Sequence, residues 1–396
     1  MIPLKDLADT YSNEQLFLLQ ICRMYFSGYG KTDLNAFVTS QPPDWQLVYK
    51  IAMAHGIRPF IYDVILKYDL DVDTNFRLKL ENDHRIMLQR NMMQAIVTAK
   101  ITADLKDLGI TVIAYKGAAL ISRHYDNMGM RESIDIDLIA SRSDIARIED
   151  YFINSGYIPK ETVPRRYLKL YQLFFKDMVY HVPKYDCNIE VHWSLLNGFA
   201  GKYPTFEFFN PHIEPYKQAS GEYIVLSPSF DFLATISNHL VKDMNTRFKY
   251  IIDIACILKK DPALLDDSVI LSTATKFGFK KRLIKGLSVV SSLTGVDIAP
   301  SFSTKITRED LLVPLQYPVA LSSLQFNNAR FLKRSLSSQD NTANKAGFLL
   351  RSFAYFFIPS YIDINTFRLP IYLFPLLFIL RPFRLLLEKI SLRPKK

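Results

Sequence analysis

The chain has 396 residues, 49% of them hydrophobic and 22% charged, a balance that excludes wholesale disorder, a collagen-like repeat and a coiled-coil rod. At about 150 residues per domain it should hold two or three domains. The net charge of +10 is unevenly placed: 12 basic and 3 acidic residues lie from Arg330 onward, leaving 37 basic and 36 acidic side chains before it. So neutral a body excludes a basic nucleic-acid-binding surface and disfavours nucleic acid as a partner. Cys22, Cys187 and Cys256 are odd in number and widely spaced, which fits neither a disulfide framework nor a zinc cluster. Met1–Asp6 lacks a basic segment followed by an apolar run, so the cytoplasm is the expected compartment.

In chain order, residues 10–110 carry apolar positions at helical spacing, most regularly over Asn75–Leu108, and predict helices. At Gly109 the pattern changes. Ile110–Tyr115 is a short β-branched run, Lys116-Gly117 closes it, and Ala118–His124 reads as a helix. In Ser133–Ala140, Ile134, Ile136 and Leu138 alternate with Asp135 and Asp137, the period of a strand with one polar face. Ser143–Ser155 returns to helical spacing, with Gly156 at its end. Tyr171–Val182 and Asn188–Trp193 are rich in Phe, Tyr, Val and Ile and predict a hairpin turning at Pro183–Asp186. Helices are expected again over Phe230–Lys242, Phe248–Lys259 and Lys280–Leu293. Ser335–Asn344 is the expected linker. The pattern thus divides into a helical region (1–108), a core (109–225), a helical domain (226–334), and a linker with an apolar, basic tail (335–396).

The chemistry concentrates in Ile134-Asp135-Ile136-Asp137-Leu138. Alternate strand positions place both carboxylates on one face. Such a pair is either a solvated edge or a site for a hard divalent cation with oxygen ligands, Mg²⁺ above all or Mn²⁺, and Mg²⁺ brings phosphate chemistry. Glu190, in Ile189-Glu190-Val191-His192-Trp193, offers a third carboxylate from another strand. Three carboxylates could bind metal for an in-line displacement at phosphorus. The Lys116-Gly117 turn, between strand and helix, suits an anion, although the GxxxxGK[ST] spacing is absent. Lys116 could touch phosphate or pair with Asp135. Arg131 could neutralise a phosphate or brace the acidic strand. His192 shares the face of Glu190 and could orient a ligand or be structural; Trp193 should point into the core.

Strand-Lys116-Gly117-helix, Arg131 ahead of Asp135-x-Asp137, a helix ending in Gly156-Tyr157, and then Glu190-Val191-His192-Trp193 together resemble the uncharacterised nucleotidyltransferase family of the DNA polymerase beta superfamily. Asn238-His239-Leu240 and Asp253-Ile254-Ala255 extend the likeness, which covers roughly Lys100–Lys260. The resemblance implies an α+β fold, a mixed-sheet nucleotidyltransferase core flanked by helical N-terminal and C-terminal regions. It also implies Asp135, Asp137 and Glu190 as catalytic metal ligands, Lys116, Gly117 and Arg131 as nucleotide-binding residues, and His192, His239 and Asp253 as substrate contacts. The reaction expected is transfer of a nucleoside monophosphate from an NTP, by default ATP, to an acceptor, with release of pyrophosphate. The pattern is compatible with a protein side chain, a saccharide, a lipid head group or a small molecule as acceptor. The alternative is a catalytically silent binding or scaffold protein on the same fold.

Leu369–Leu380 is uncharged but interrupted by Pro370 and Pro375, and is shorter than the roughly 20 residues a membrane-crossing helix needs. Arg381, Arg384 and Glu388 follow on one helical face, and Arg393-Pro394-Lys395-Lys396 ends the chain. Two readings stand: an interfacial segment drawn to anionic lipid at the inner face of a membrane, or a helix packed on the enzyme with a solvated basic end.

Overall fold

The computed structural model of the protein describes residues 1–197, 203–266, 268–318 and 329–391. The chain opens with helices α1 (Asn13–Ser27), α2 (Lys31–Ser40), α3 (Trp45–His55), α4 (Arg58–Lys67) and the long α5 (Thr74–Asp107). Their starts are set locally. At α1 the Ser12 side chain accepts from the Gln15 N–H and the Gln15 side chain from the Ser12 N–H, a capping box. Asp44 and Asp73 cap α3 and α5, each cap contributing about 1 kcal/mol.

The core follows as β1 (Val112–Tyr115), α6 (Gly117–His124), β2 (Asp135–Ala140), α7 (Ile145–Asn154), β3 (Ile158–Pro159), α8 (Arg165–Phe174), β4 (Asp177–Val182) and β5 (Cys187–His192). The sheet runs in the order β1-β2-β5-β4-β3. Strands β2 and β5 are parallel and the other neighbours antiparallel, so the sheet is mixed and the fold α+β. Then come α9 (Phe206–Phe209), the hairpin β6 (Ile213–Gln218) and β7 (Gly221–Leu226), and α10 (Pro228–Ile236), α11 (Phe248–Lys260), α12 (Ser268–Phe277), α13 (Lys280–Thr294), α14 (Arg308–Leu312), α15 (Ala329–Ser337), α16 (Thr342–Tyr355), α17 (Tyr361–Phe367) and α18 (Leu376–Ser391).

Strand periodicity decides what each sheet face meets. Ala114, Ile136, Leu138, Ile189, Val191 and Trp193 join one hydrophobic cluster, with Tyr167 of α8. Ile113, Tyr115 and Ile139 join the other, built chiefly from α1 to α4 and α10 to α14. Asp135 and Asp137 have the parity of Ile139, and Glu190 stands opposite Asp137 in register. The acidic positions therefore face the helical body.

Several expectations need correction. Tyr171–Phe174 ends helix α8 instead of starting a strand, because Tyr167, Leu168 and Tyr171 bury one helical face and its aromatic content, read as β, serves packing. Phe230–Lys242 is not one α-helix: α10 stops at Ile236, and Ser237–Lys242 forms a π-helical turn. Ser335–Asn344 forms the end of α15, a short turn and the start of α16, and Asp340 accepts from the Lys280 and Lys281 N–H groups at the start of α13. The hairpin β6–β7 was not anticipated. Helix α18 packs on the protein through Leu377, and Phe374 just before it is buried in the same cluster; Arg393–Lys396 lie outside the described residues. Among the described residues no helix is long and apolar enough to cross a membrane.

Candidate active site

The site begins at the β1–α6 turn. Lys116 adopts φ 51°, ψ −149°, a region open chiefly to glycine that costs a side-chain-bearing residue about 1–3 kcal/mol. Gly117 follows at φ 43°, and a Cβ there would lie 3.2 Å from the Asp135 carbonyl oxygen. The turn is thus pressed against the start of β2, and it sends the Lys116 ammonium to 3.5 Å from Asp137 Oδ1. Asn238, in the π-helical turn, lies beside the same ammonium: with its side-chain amide turned so that both neighbours are satisfied, its oxygen accepts from Lys116 Nζ at 2.9 Å and its nitrogen donates to Asp243 at 3.2 Å.

Strands β2 and β5 set Asp137 opposite Glu190, and Asp135 opposite Asn188. His192 Nε2 lies 3.1 Å from Asp137 Oδ1 and 3.2 Å from Glu190 Oε2. Ligand atoms of Asp137, Glu190 and His192 all fall within 4.8 Å of one another, a trio able to hold a metal ion. Asp135 stands outside it, accepting from Asn188 Nδ2 at 3.0 Å. Behind His192, strand β4 places Asp177 opposite it; Nδ1 is 3.4 Å from Asp177 Oδ2 and 3.4 Å from Lys176 Nζ, and Lys176 is itself bonded to Asp177. The Tyr115 ring meets the imidazole edge-on at 5.5 Å, and its buried hydroxyl has no partner among the described residues.

Charge and burial compete here. Burial opposes ionisation of Asp137, but Lys116 and the hydrogen bond from His192 outweigh it and hold the carboxyl well below the usual range. Glu190 is likewise held low against burial by the His192 bond. Asp135 goes the other way: burial raises it, and Glu190 and Asp137 add to the rise although Asn188 opposes it. Burial also lowers Lys176, to about 7, with Lys242 and Lys116 contributing, and lowers His192, helped by Lys176. Two carboxylates of fixed charge, one of raised affinity for protons, and two lysines thus converge on one face.

Arg131, His239 and Asp253 meet each other instead of the carboxylate trio. Arg131 Nε and Nη2 donate to Asp253 Oδ1 and Oδ2 at 2.6 and 2.9 Å. His239 Nε2 lies 2.8 Å from Oδ2, and the Tyr125 hydroxyl donates to Oδ1. Asp253 is fully buried and Arg131 nearly so. Burial works against its charge, yet Arg131 and His239 hold Asp253 far below its usual range. Trp193 is fully buried, its indole N–H donating to the Phe175 carbonyl at 2.7 Å.

Sequence reasoning did not reach Lys176, Asp177, Asn188 or Tyr115. Asp177 carried a usable signal: with Val179 and His181 it alternates against buried Met178, Tyr180 and Val182. Lys176 had none, lying between helix and strand. A family model described as an uncharacterised nucleotidyltransferase matches residues 41–295, and the chain belongs to that family. The match is wider than the motif-bearing stretch and takes in α3 to α13. None of the curated proteins compared with the chain matches it.

Proposed function

We propose that the protein transfers a nucleoside monophosphate from an NTP, ATP in the first instance, to an acceptor, releasing pyrophosphate in a Mg²⁺-dependent reaction. The observation that carries this reading is the convergence of Asp137, Glu190 and His192 within 4.8 Å, with Lys116 3.5 Å from Asp137. The donor set, two carboxylates of depressed pKa with a third carboxylate beside them, fits a hard divalent ion; when bound, that ion would neutralise phosphate charge. Asp137 and Glu190 are assigned to hold it, with Asp135 completing the set.

The lysines serve the donor. Lys116, fixed by its own backbone turn, presents its ammonium where negative charge builds on the departing pyrophosphate, and Lys176, lowered to about 7 beside His192, is placed to take up a proton as that charge develops. In the transfer the acceptor oxygen or nitrogen forms a bond to the α-phosphorus, the bond from that phosphorus to the bridging oxygen breaks, and pyrophosphate leaves with the electron pair. Asp135, the carboxyl raised by burial, is the member of the set suited to take the acceptor's proton. Arg131, His239 and Asp253 support the floor from which Asn238 reaches Lys116.

Pyrophosphate release from each NTP, with Mg²⁺ or Mn²⁺ and a panel of saccharide, lipid head-group, small-molecule and protein acceptors, tests the reading. Asp137→Asn and Glu190→Gln should abolish release while circular dichroism stays native; release unchanged in both variants would remove the assignment. One arrangement favours a second reading: Lys116 already balances the charge of Asp137, and His192 hydrogen-bonds it, without an ion, as a catalytically silent scaffold on this fold would require. Absence of Mg²⁺-dependent NTP binding would select it.

A further inference from the structure

We propose that the outer face of α16 and α18 is a docking surface for an anionic lipid bilayer, in whose interface the two helices lie flat. Among the described residues 27 large hydrophobic side chains are exposed, and 13 of these fall between Leu349 and Leu387. Single exposed apolar residues are ordinary, but a concentration of this kind marks an interaction surface. The residues are also patterned. On α18 the exposed Leu376, Ile379, Phe383, Leu386 and Leu387 recur at i, i+3, i+7, i+10 and i+11, a stripe about 100° wide.

This stripe is not what fastens α18 to the protein. The opposite side does that: Leu377 is fully buried, and Arg381 Nη1 and Arg384 Nε both donate to the buried Asp363 of α17. Arg381 also lies 5.8 Å from the Tyr355 ring at the end of α16, so α16, α17 and α18 are tied into one unit. On α16, Leu350 and Phe353 are 70% and 65% exposed. The apolar faces of both helices are therefore left over after the unit's own packing is complete.

Charge selects the occupant. Of the 12 basic residues from Arg330 to the end, against 3 acidic, Arg381 and Arg384 are taken by Asp363 and Arg334 by the Met244 carbonyl oxygen, while Lys345 and Arg368 are exposed on this unit. A second copy seated on the same face by a two-fold axis would bring these like charges together. Anionic head groups complement them, each Lys or Arg near such a surface contributing on the order of 1 kcal/mol. Helix α18 has 16 residues, too few to cross a bilayer of about 30 Å at 1.5 Å per residue, which leaves an in-plane position with the stripe sunk into the head-group boundary.

The test is flotation of the full chain with vesicles of phosphatidylcholine alone or mixed with phosphatidylglycerol, for the wild type, Phe353→Glu, Phe383→Glu and Leu387→Glu. All three positions are exposed, and native circular dichroism confirms the fold; Phe353→Ser and Leu387→Ser provide a milder pair. Expected is binding to the phosphatidylglycerol vesicles, with a partition coefficient falling roughly tenfold or more per substitution, since each removes a buried apolar side chain from the lipid. Failure to float with anionic vesicles overturns the proposal. So does flotation that salt removes but these substitutions leave unchanged, and so does a wild-type dimer that the substitutions convert to monomer without any vesicle binding.

Discussion

Asp253→Asn should destabilise the protein by roughly 3–5 kcal/mol, the range for breaking a buried ion pair by removing one partner. The substitution keeps the side chain's size and removes its charge. In the native chain the carboxylate takes two bonds from Arg131 at 2.6 and 2.9 Å, one from His239 at 2.8 Å and one from Tyr125. The Arg131 guanidinium, almost wholly buried, would then have no counter-charge while still paying its desolvation, and the new amide nitrogen would face donors. A loss of this size is a large share of the about 5–15 kcal/mol typical of a folded domain. Equilibrium urea unfolding followed by circular dichroism gives the difference. Replacing both partners with apolar residues, Arg131→Met with Asp253→Leu, removes the orphaned charge but leaves the Tyr125 hydroxyl and His239 without their acceptor, so it should recover part of the loss, and against the single Arg131→Met and Asp253→Leu variants the double-mutant cycle shows strong coupling. If Asp253→Asn lies within about 1 kcal/mol of wild type, or if the double variant is no better than the single, the charge-pair reasoning is wrong.

Two further outcomes follow from particular residues. His55 is fully buried, with Nδ1 accepting from the Phe248 N–H at 3.2 Å and Nε2 3.0 Å from the Gln316 carbonyl oxygen, and burial pushes it down to about 4. The unfolded chain takes up this proton near 6.5 and the folded chain only near 4, so stability from this group is complete above about pH 6.5 and falls by roughly 3 kcal/mol as the pH drops to about 4; His55→Gln should flatten that part of a stability-against-pH curve, and an unchanged curve would refute the assignment. Lys116→Gly relieves the strained φ, worth about 1–3 kcal/mol, but strips the buried Asp137 of the ammonium that holds its carboxyl low, a loss of about 3–5 kcal/mol, so thermal stability should fall while nucleotide binding weakens; a variant as stable as the wild type or more so would show that the backbone strain outweighs the ion pair.

Much of this arrangement was legible wherever the relevant pattern is local. The alternation around Asp135 and Asp137 gives β2 and its polar face, and the apolar run around Glu190 gives β5. The 34-residue α5 was visible from its helical spacing. What failed was aromatic content as a guide to strands: Tyr167, Leu168 and Tyr171 pack helix α8, and only their spacing, not their residue type, distinguishes the two states. The break after Ile236 was hidden as well, since a π-helical turn leaves an uninterrupted apolar pattern. Long-range pairing is the other limit. Arg131 and Asp253 are 122 residues apart, and no local rule says that they choose each other. Lys176 is the same case: it reaches the site because β4 pairs with β5 and brings Asp177 opposite His192.

The most direct test of the proposed chemistry is calorimetric titration of ATP, with and without Mg²⁺, into the wild type and into Asp137→Asn with Glu190→Gln. Binding that requires both the metal and the two carboxylates is the result expected if the trio is the metal-dependent donor site. Binding that is equally strong without Mg²⁺, or that survives loss of both carboxylates, would contradict it.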